Sequence, residues 1–165
     1  MLIRSVFSFC QWLQTTQIGT AIRESVWQFA VIESVHILAL VALVGSAVIL
    51  DLRLLGIGAT YRSALQLAQQ LIPVMLLAFC VMAATGILMF WSDPLRFYRS
   101  LAFWIKLGLL ALAGLNALLF HLTTYRHLAK WDFAPKLPLR ARFVAIVSLV
   151  LWVLIVFAGR GIAYL

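Results

Sequence analysis

The sequence has few acidic residues and little charge of either sign. Only 11% of its 165 residues are charged, and just five are Asp or Glu, whereas 65% are hydrophobic. So little charge cannot cover the surface of a soluble globular domain of this size. The composition therefore predicts an integral membrane protein.

Cysteines and catalytic motifs are also scarce. The two cysteines, Cys10 and Cys80, lie in an N-terminal segment and in the middle of an apolar run, at depths that do not meet in a disulfide. The sequence contains no Ser-His-Asp set, phosphate-binding loop, Cys-x-x-Cys pair or Gly-rich dinucleotide turn. These absences leave hydrolase and nucleotide chemistry without support.

The net charge of +8 would suggest a nucleic-acid partner if the protein were soluble. Here the basic residues lie at the ends of apolar segments and in the connections between them, where lipid headgroups and orientation rules account for them. The expected partner is the lipid bilayer and not a nucleic acid.

Four apolar segments are long enough to cross a hydrocarbon core of about 30 Å. None shows the alternation of barrel strands, so the fold class expected is all-α: a polytopic membrane four-helix bundle over residues 27–165. The second segment carries Pro73 in its expected first turn, where a missing N–H is harmless. The predicted spans are about 27–50, 70–91, 101–124 and 142–163.

Residues 1–26 form a separate segment. Leu2, Val6, Phe9 and Leu13 recur at helical spacing, which predicts an amphipathic helix lying along the membrane surface. Glutamines interrupt its apolar run too early for a signal-peptide core, so we expect no cleavage there.

Orientation follows from the basic residues beside the spans. Lys and Arg are slightly more numerous on the side that holds the connection before the fourth span, which places that connection in the cytoplasm. Both termini are then expected in the periplasm of a bacterial inner membrane. The outer side receives an aromatic belt of Trp12, Trp27, Trp91 and Trp104.

Ionisable residues within the spans are the first functional candidates. Glu33 and His36 stand three apart on one face of the first span. Lys106 and Arg160 fall at similar depth in the third and fourth spans. His121 falls near the opposite side, so His36 and His121 are not expected to ligate one metal ion.

Two interpretations of this polar set stay open. In the first, Glu33 pairs with Lys106 or Arg160, and His36 donates a hydrogen bond, so that the set only specifies helix packing. In the second, the set is a pocket for haem b or a quinone, with His36 as a haem-iron or metal ligand and the two bases neutralising carboxylates such as haem propionates. A di-iron site is rejected because the chain has too few acids.

Methionines recur every seven residues on the second span, at Met75, Met82 and Met89. They share one helix face. Met82 lies at a depth similar to His36 and is a candidate second axial haem ligand, and the thioethers could also pass Cu(I) along the helix. The alternative is that they fill gaps in helix packing.

Three stretches together carry a family resemblance: ESVHILALVALVGSAVILDLRLLG, ATGILMFWSDPLRFYRS with FWIKLGLLALAGLNALLFH, and SLVLWVLIVFAGRGIAYL. They resemble an uncharacterised family of bacterial four-helix membrane proteins of unknown function. The first-span histidine and the lysine that opens the third span are more distantly similar to copper-resistance D-type membrane proteins and to the four-helix protoporphyrinogen oxidase family. That resemblance implies copper handling or haem-linked redox chemistry, carried here by His36 and Lys106.

The leading functional hypothesis is therefore a haem- or quinone-associated electron-transfer subunit with a cofactor pocket of Glu33, His36, Lys106, Arg160 and Met82. A copper-handling membrane protein is the second hypothesis. A structural or assembly subunit, in a larger membrane complex or a homo-oligomer, is the third.

Overall fold

The computed structural model describes residues 2–57, 62–128 and 138–164, and within these ranges the chain is helical with no strand. This confirms the predicted all-α class. The helices are α1 (Leu2–Gln14), α2 (Gln17–Glu24), α3 (Val26–Leu55), α4 (Ala64–Ser92), α5 (Pro94–Arg99), α6 (Leu101–Leu119) and α7 (Leu139–Tyr164). A π-helical turn at Phe120–Thr124 and a 3-10 turn at Tyr125–His127 continue α6.

Four of the described helices are long and apolar enough to cross a membrane: α3, α4, α6 with its two added turns, and α7. The chain is thus a multi-pass membrane protein. Extended contacts join α3 to α4, α3 to α7 and α6 to α7. We call the end where α3 and α6 begin, and where α4 and α7 finish, the N-terminal end of the bundle.

Serine hydroxyls fix where three spanning helices start. The hydroxyls of Ser25, Ser63 and Ser100 accept hydrogen bonds from the backbone N–H three residues later, at 3.2, 3.2 and 3.4 Å. Such caps satisfy otherwise unpaired N–H groups at a helix start. The helices therefore begin up to six residues before the predicted spans, because the caps precede the apolar runs.

The expected position of Pro73 in a first turn was wrong. Ser63 starts α4 at Ala64, so Pro73 lies in the interior of the helix. Proline has no N–H to offer the carbonyl one turn earlier, at Gln69, and its ring disfavours straight helix geometry. Apolar length alone could not show that the polar residues before Pro73 are helical.

The N-terminal segment forms two helices, α1 and α2, that pack against the N-terminal end of the bundle. Thr16 caps α2, since its hydroxyl accepts from the Gly19 N–H at 3.4 Å, and it also accepts from the Trp91 indole N–H at 2.8 Å. The Arg23 guanidinium donates to the Ser92 carbonyl at 3.2 Å. These contacts join α2 to the end of α4.

Gly19 sits where α2 approaches α4 most closely. A Cβ at this position would lie 2.9 Å from the Trp91 carbonyl oxygen and 3.1 Å from the Leu13 carbonyl oxygen. Both are backbone atoms, so Gly19→Ala is expected to displace α2 and to lower stability by about 1–3 kcal/mol. Thermal unfolding in detergent measures this loss. Gly45→Ala is the control because a Cβ there meets nothing within 4 Å, and equal stability of the two variants would contradict the expectation.

Packing between α3 and α4 places a small apolar cluster beside the middle of the bundle. It contains Ala39, Leu43, Ala78 and Met82, with the partly buried Trp152 of α7 against it. By contrast, α6 lies at the side of the bundle and Ala102 is its buried residue. The helix pair α3–α4 is therefore the best-packed support for any site between the spans.

Candidate functional site

The imidazole of His36 on α3 is held against α4 by Thr85. His36 Nδ1 lies 2.9 Å from Thr85 Oγ1, and that hydroxyl donates its one hydrogen to the carbonyls of its own helix, at 2.7 Å to Val81 and 3.1 Å to Met82. With its hydrogen used in this way, Oγ1 can only accept from Nδ1. In the neutral ring, the hydrogen therefore sits on Nδ1 and the lone pair on Nε2.

Thr85 is buried, with 8% of its surface exposed. This buried hydroxyl on α4 thus orients the ring and leaves Nε2 as its remaining polar atom.

Glycine at position 86 gives the imidazole its place on α4. A Cβ there would stand 3.4 Å from His36 Cε1 and 3.8 Å from Nδ1. An alanine methyl would touch the ring, and any branched side chain would overlap it. Gly86 therefore allows the α3 imidazole to lie directly against the α4 backbone.

Lys106 on α6 is arranged in a similar way against α7. A Cβ at Gly159 would lie 3.5 Å from Lys106 Nζ and 3.7 Å from its Cε. The charge of Lys106 also acts on the His36 imidazole. All four spanning helices thus contribute to one layer, which we call the His36 site: His36, Thr85, Gly86, Lys106 and Gly159.

Aromatic rings lie between the His36 site and the N-terminal end of the bundle. Phe90 on α4 and Phe103 on α6 are stacked with centroids 5.5 Å apart, and Phe97 on α5 lies 6.2 and 5.6 Å from them. Phe90 follows Gly86 by one helical turn, and Phe103 precedes Lys106 by about one. The stack joins α4 to α6 above the site.

Met82 lies beneath the site and not in it. Its side chain is 3% exposed and packs with Ala39, Leu43 and Ala78. Met75 packs against the same cluster. The two thioethers thus serve as core packing here, and the axial-ligand and Cu(I) roles remain predictions.

The structure brings together only part of the predicted polar set. His36 and Lys106 share the site, whereas the side chains of Glu33 and Arg160 are exposed at its margin. Within the described ranges, no group of three or more His, Cys, Asp or Glu residues could hold a metal ion. A ligand bound at this layer would therefore meet one imidazole and one ammonium group.

Sequence reasoning missed Thr85 and Gly159. The signal for Thr85 was a hydroxyl residue inside an otherwise apolar span, directly followed by glycine. A threonine in such a span ordinarily satisfies itself by bonding its own helix, as Thr85 does. Its second role is visible only when His36 is placed opposite.

A second buried polar contact lies towards the other end of the bundle. The first span was predicted to end at about residue 50, but α3 continues to Leu55 and buries Asp51 to 6% exposure. Ser148 of α7 lies near its carboxyl group, and its Oδ2 atom has no partner among the described residues. Asp51 follows His36 by fifteen residues, or about 22 Å of helix, so the two polar sites are separate.

Comparison with known proteins identifies a family but no activity. Residues 9–165 match the family described as "Family of unknown function (DUF6644)". No curated protein and no solved structure matches the chain. The expected similarity to copper-resistance D-type proteins and to the four-helix protoporphyrinogen oxidase family is not shown.

Proposed function

We propose that this chain, which belongs to the DUF6644 family of unknown function, is a quinone-binding subunit of a membrane redox complex. The observation that carries the proposal is the contact of His36 Nδ1 with Thr85 at 2.9 Å, beside Lys106. An imidazole with a fixed tautomer and a neighbouring ammonium group, placed between membrane helices, is an unusual and costly arrangement for packing alone.

The chemistry of the two side chains matches a quinol headgroup. A bound quinone supplies a redox couple of two electrons and two protons. Nε2 of His36 accepts a hydrogen bond from a quinol hydroxyl and can take its proton, as a general base does. Lys106 donates to the other oxygen of the ring. The electrons require a redox partner, which is why we assign the chain to a larger complex.

The packing of the helices supports a lipid-soluble ligand. The extended contacts of the bundle place α4 and α6 at the two ends of the series α4–α3–α7–α6. Within the described residues these two helices form no comparable contact along their lengths, and the stack of Phe90 on Phe103 joins them at the N-terminal end. The seam below the stack gives a quinone a route from the bilayer.

The same contacts favour a quinone over the haem considered above. A haem ligated by both His36 and Met82 would have to enter between α3 and α4. Gly86 and Thr85 already lie against the His36 ring, and Met82 is packed in the core below. A quinone needs only hydrogen bonds at its edge and no insertion between these helices.

Replacing His36 tests the proposal. We expect purified protein to bind ubiquinol-2, and His36→Leu to weaken that binding at least about tenfold, because the hydrogen bond from the quinol hydroxyl to Nε2 is lost. Equilibrium dialysis in detergent measures the affinity. His121→Leu is the matched control, since His121 is exposed and stacks on Tyr125 at the other end of the bundle.

Two results would overturn the quinone assignment. One is equal ubiquinol-2 binding by wild type and His36→Leu, with both proteins folded. The other is a Soret band in oxidised and dithionite-reduced spectra that disappears in His36→Leu, which would make His36 a haem ligand instead.

A further inference from the structure

A cavity of about 480 Å³ opens at the N-terminal end of the bundle, apart from the His36 site. It lies between the end of α1, the short helix α5 and the end of α7. Its polar lining includes Gln14, Asp93, Arg96, Arg99 and Ser100, and Ile162 contributes an apolar wall. Cavities of this volume are typical of sites for small molecules.

The charge of the cavity favours an anion. Arg96 and Arg99 are three residues apart on α5, so both guanidinium groups lie along one side. Within the described parts of the chain neither guanidinium has an ion-pair partner. Asp93 is the single acid in the lining. Its carboxylate caps α5 by accepting a hydrogen bond from the backbone N–H of Arg96 at 3.4 Å. Two positive charges therefore face one negative charge that already has a role.

The depth of the cavity relative to the spanning helices indicates which kind of anion it would bind. It lies where four membrane-spanning helices end, which is the depth of lipid headgroups. Phe7 of α1 packs against Tyr98 of α5 with centroids 6.2 Å apart, so α1 and α5 form a joint wall. Guanidinium groups bind phosphate oxygens in paired hydrogen bonds, while Ile162 continues the wall along α7 towards the hydrocarbon region.

We infer that this cavity binds the phosphate group of an anionic phospholipid. Arg96 and Arg99 hold the phosphate oxygens, the Gln14 amide donates to the headgroup, and the acyl chains pass along Ile162 into the bilayer. The lipid thereby fastens α1 and α5 to the end of α7.

Binding of phosphatidylglycerol to the full chain tests the inference. We expect native mass spectrometry of protein in mixed micelles to show phosphatidylglycerol retained in preference to phosphatidylcholine. Arg96→Gln with Arg99→Gln should weaken this retention about tenfold or more, since charge-assisted hydrogen bonds are lost. Arg140→Gln with Arg142→Gln is the matched control, because both are exposed at the opposite end of the bundle and remove the same charge.

Gln14→Glu keeps both arginines and provides a second variant should the double variant not fold. It places a carboxylate in the cavity and should also weaken phosphatidylglycerol binding. If Arg140→Gln with Arg142→Gln weakened phosphatidylglycerol retention equally, net charge would explain the effect and the inference would be overturned. So would wild-type retention of phosphatidylcholine equal to that of phosphatidylglycerol. Competition by inorganic phosphate as strong as that by phosphatidylglycerol would assign the cavity to a soluble phosphate compound and refute the lipid.

Discussion

Thr85→Val is expected to weaken the binding of ubiquinol-2, the reduced form, about tenfold while leaving the bundle folded. Valine matches threonine in shape but removes the oxygen that accepts from His36 Nδ1 at 2.9 Å. Losing one partner of a buried hydrogen bond costs about 1–3 kcal/mol. Without that acceptor the imidazole hydrogen can move to Nε2, which then presents N–H where the ligand requires a lone pair.

Thr85→Ser is the control for this prediction because serine keeps the hydroxyl and loses only a methyl group. The affinity of the Thr85→Ser protein for ubiquinol-2 should stay within about threefold of the wild-type value. Nitrogen-15 chemical shifts of the His36 ring report which ring nitrogen carries the hydrogen, which a change in packing alone would not alter. The wild-type protein should show a protonated Nδ1 and an unprotonated Nε2. A Thr85→Val protein with wild-type shifts and affinity would contradict the role assigned to Thr85.

Gly86→Val is expected to abolish most of the binding of ubiquinol-2, because it displaces the imidazole of His36. A Cβ added at this position would lie 3.4 Å from His36 Cε1, so the two methyl groups of valine would overlap the ring. Overpacking of this kind costs about 1–3 kcal/mol of stability. It should also lower ubiquinol-2 affinity at least about tenfold, because Nε2 is displaced from the position where it accepts the quinol hydroxyl.

Gly114→Val is the matched substitution. Gly114 lies on α6, where a Cβ meets nothing within 4 Å, so valine should leave both the melting temperature and the quinone affinity nearly unchanged. Gly86→Ala provides an intermediate case in which a single methyl group makes ordinary contact. Wild-type affinity in Gly86→Val would show that the ligand does not bind beside the His36 ring.

The number and type of spanning helices follow from the sequence because burial in lipid leaves the backbone little choice. Four apolar runs of about 20 residues must become helices, since each unpaired N–H or C=O costs several kcal/mol there. The boundaries of the helices were harder to predict from the sequence. Ser25 and Ser63 start α3 and α4 one and six residues before the predicted spans, whereas Ser100 starts α6 at the predicted residue. The role of these serines as caps depends on backbone geometry.

The candidate site was only partly predictable. His36 and Lys106 stand out because ionisable residues in spans are rare and expensive. Depth along each helix correctly separates them from His121, but depth leaves the rotation of each helix undetermined. That rotation exposes Glu33 and Arg160 and packs Met82 in the core below.

The sequence by itself determined the membrane class of this protein, its four spans and the depth of its polar residues, because hydrophobic length and the 1.5 Å rise of a helix are local properties. Only the tertiary structure decided which polar groups meet. The pairing of His36 with Thr85, and of Lys106 with Gly159, depends on how α3 rotates against α4 and α6 against α7. Those rotations are set by side-chain packing along the whole interface, and the apolar composition of a span does not encode them in any short motif.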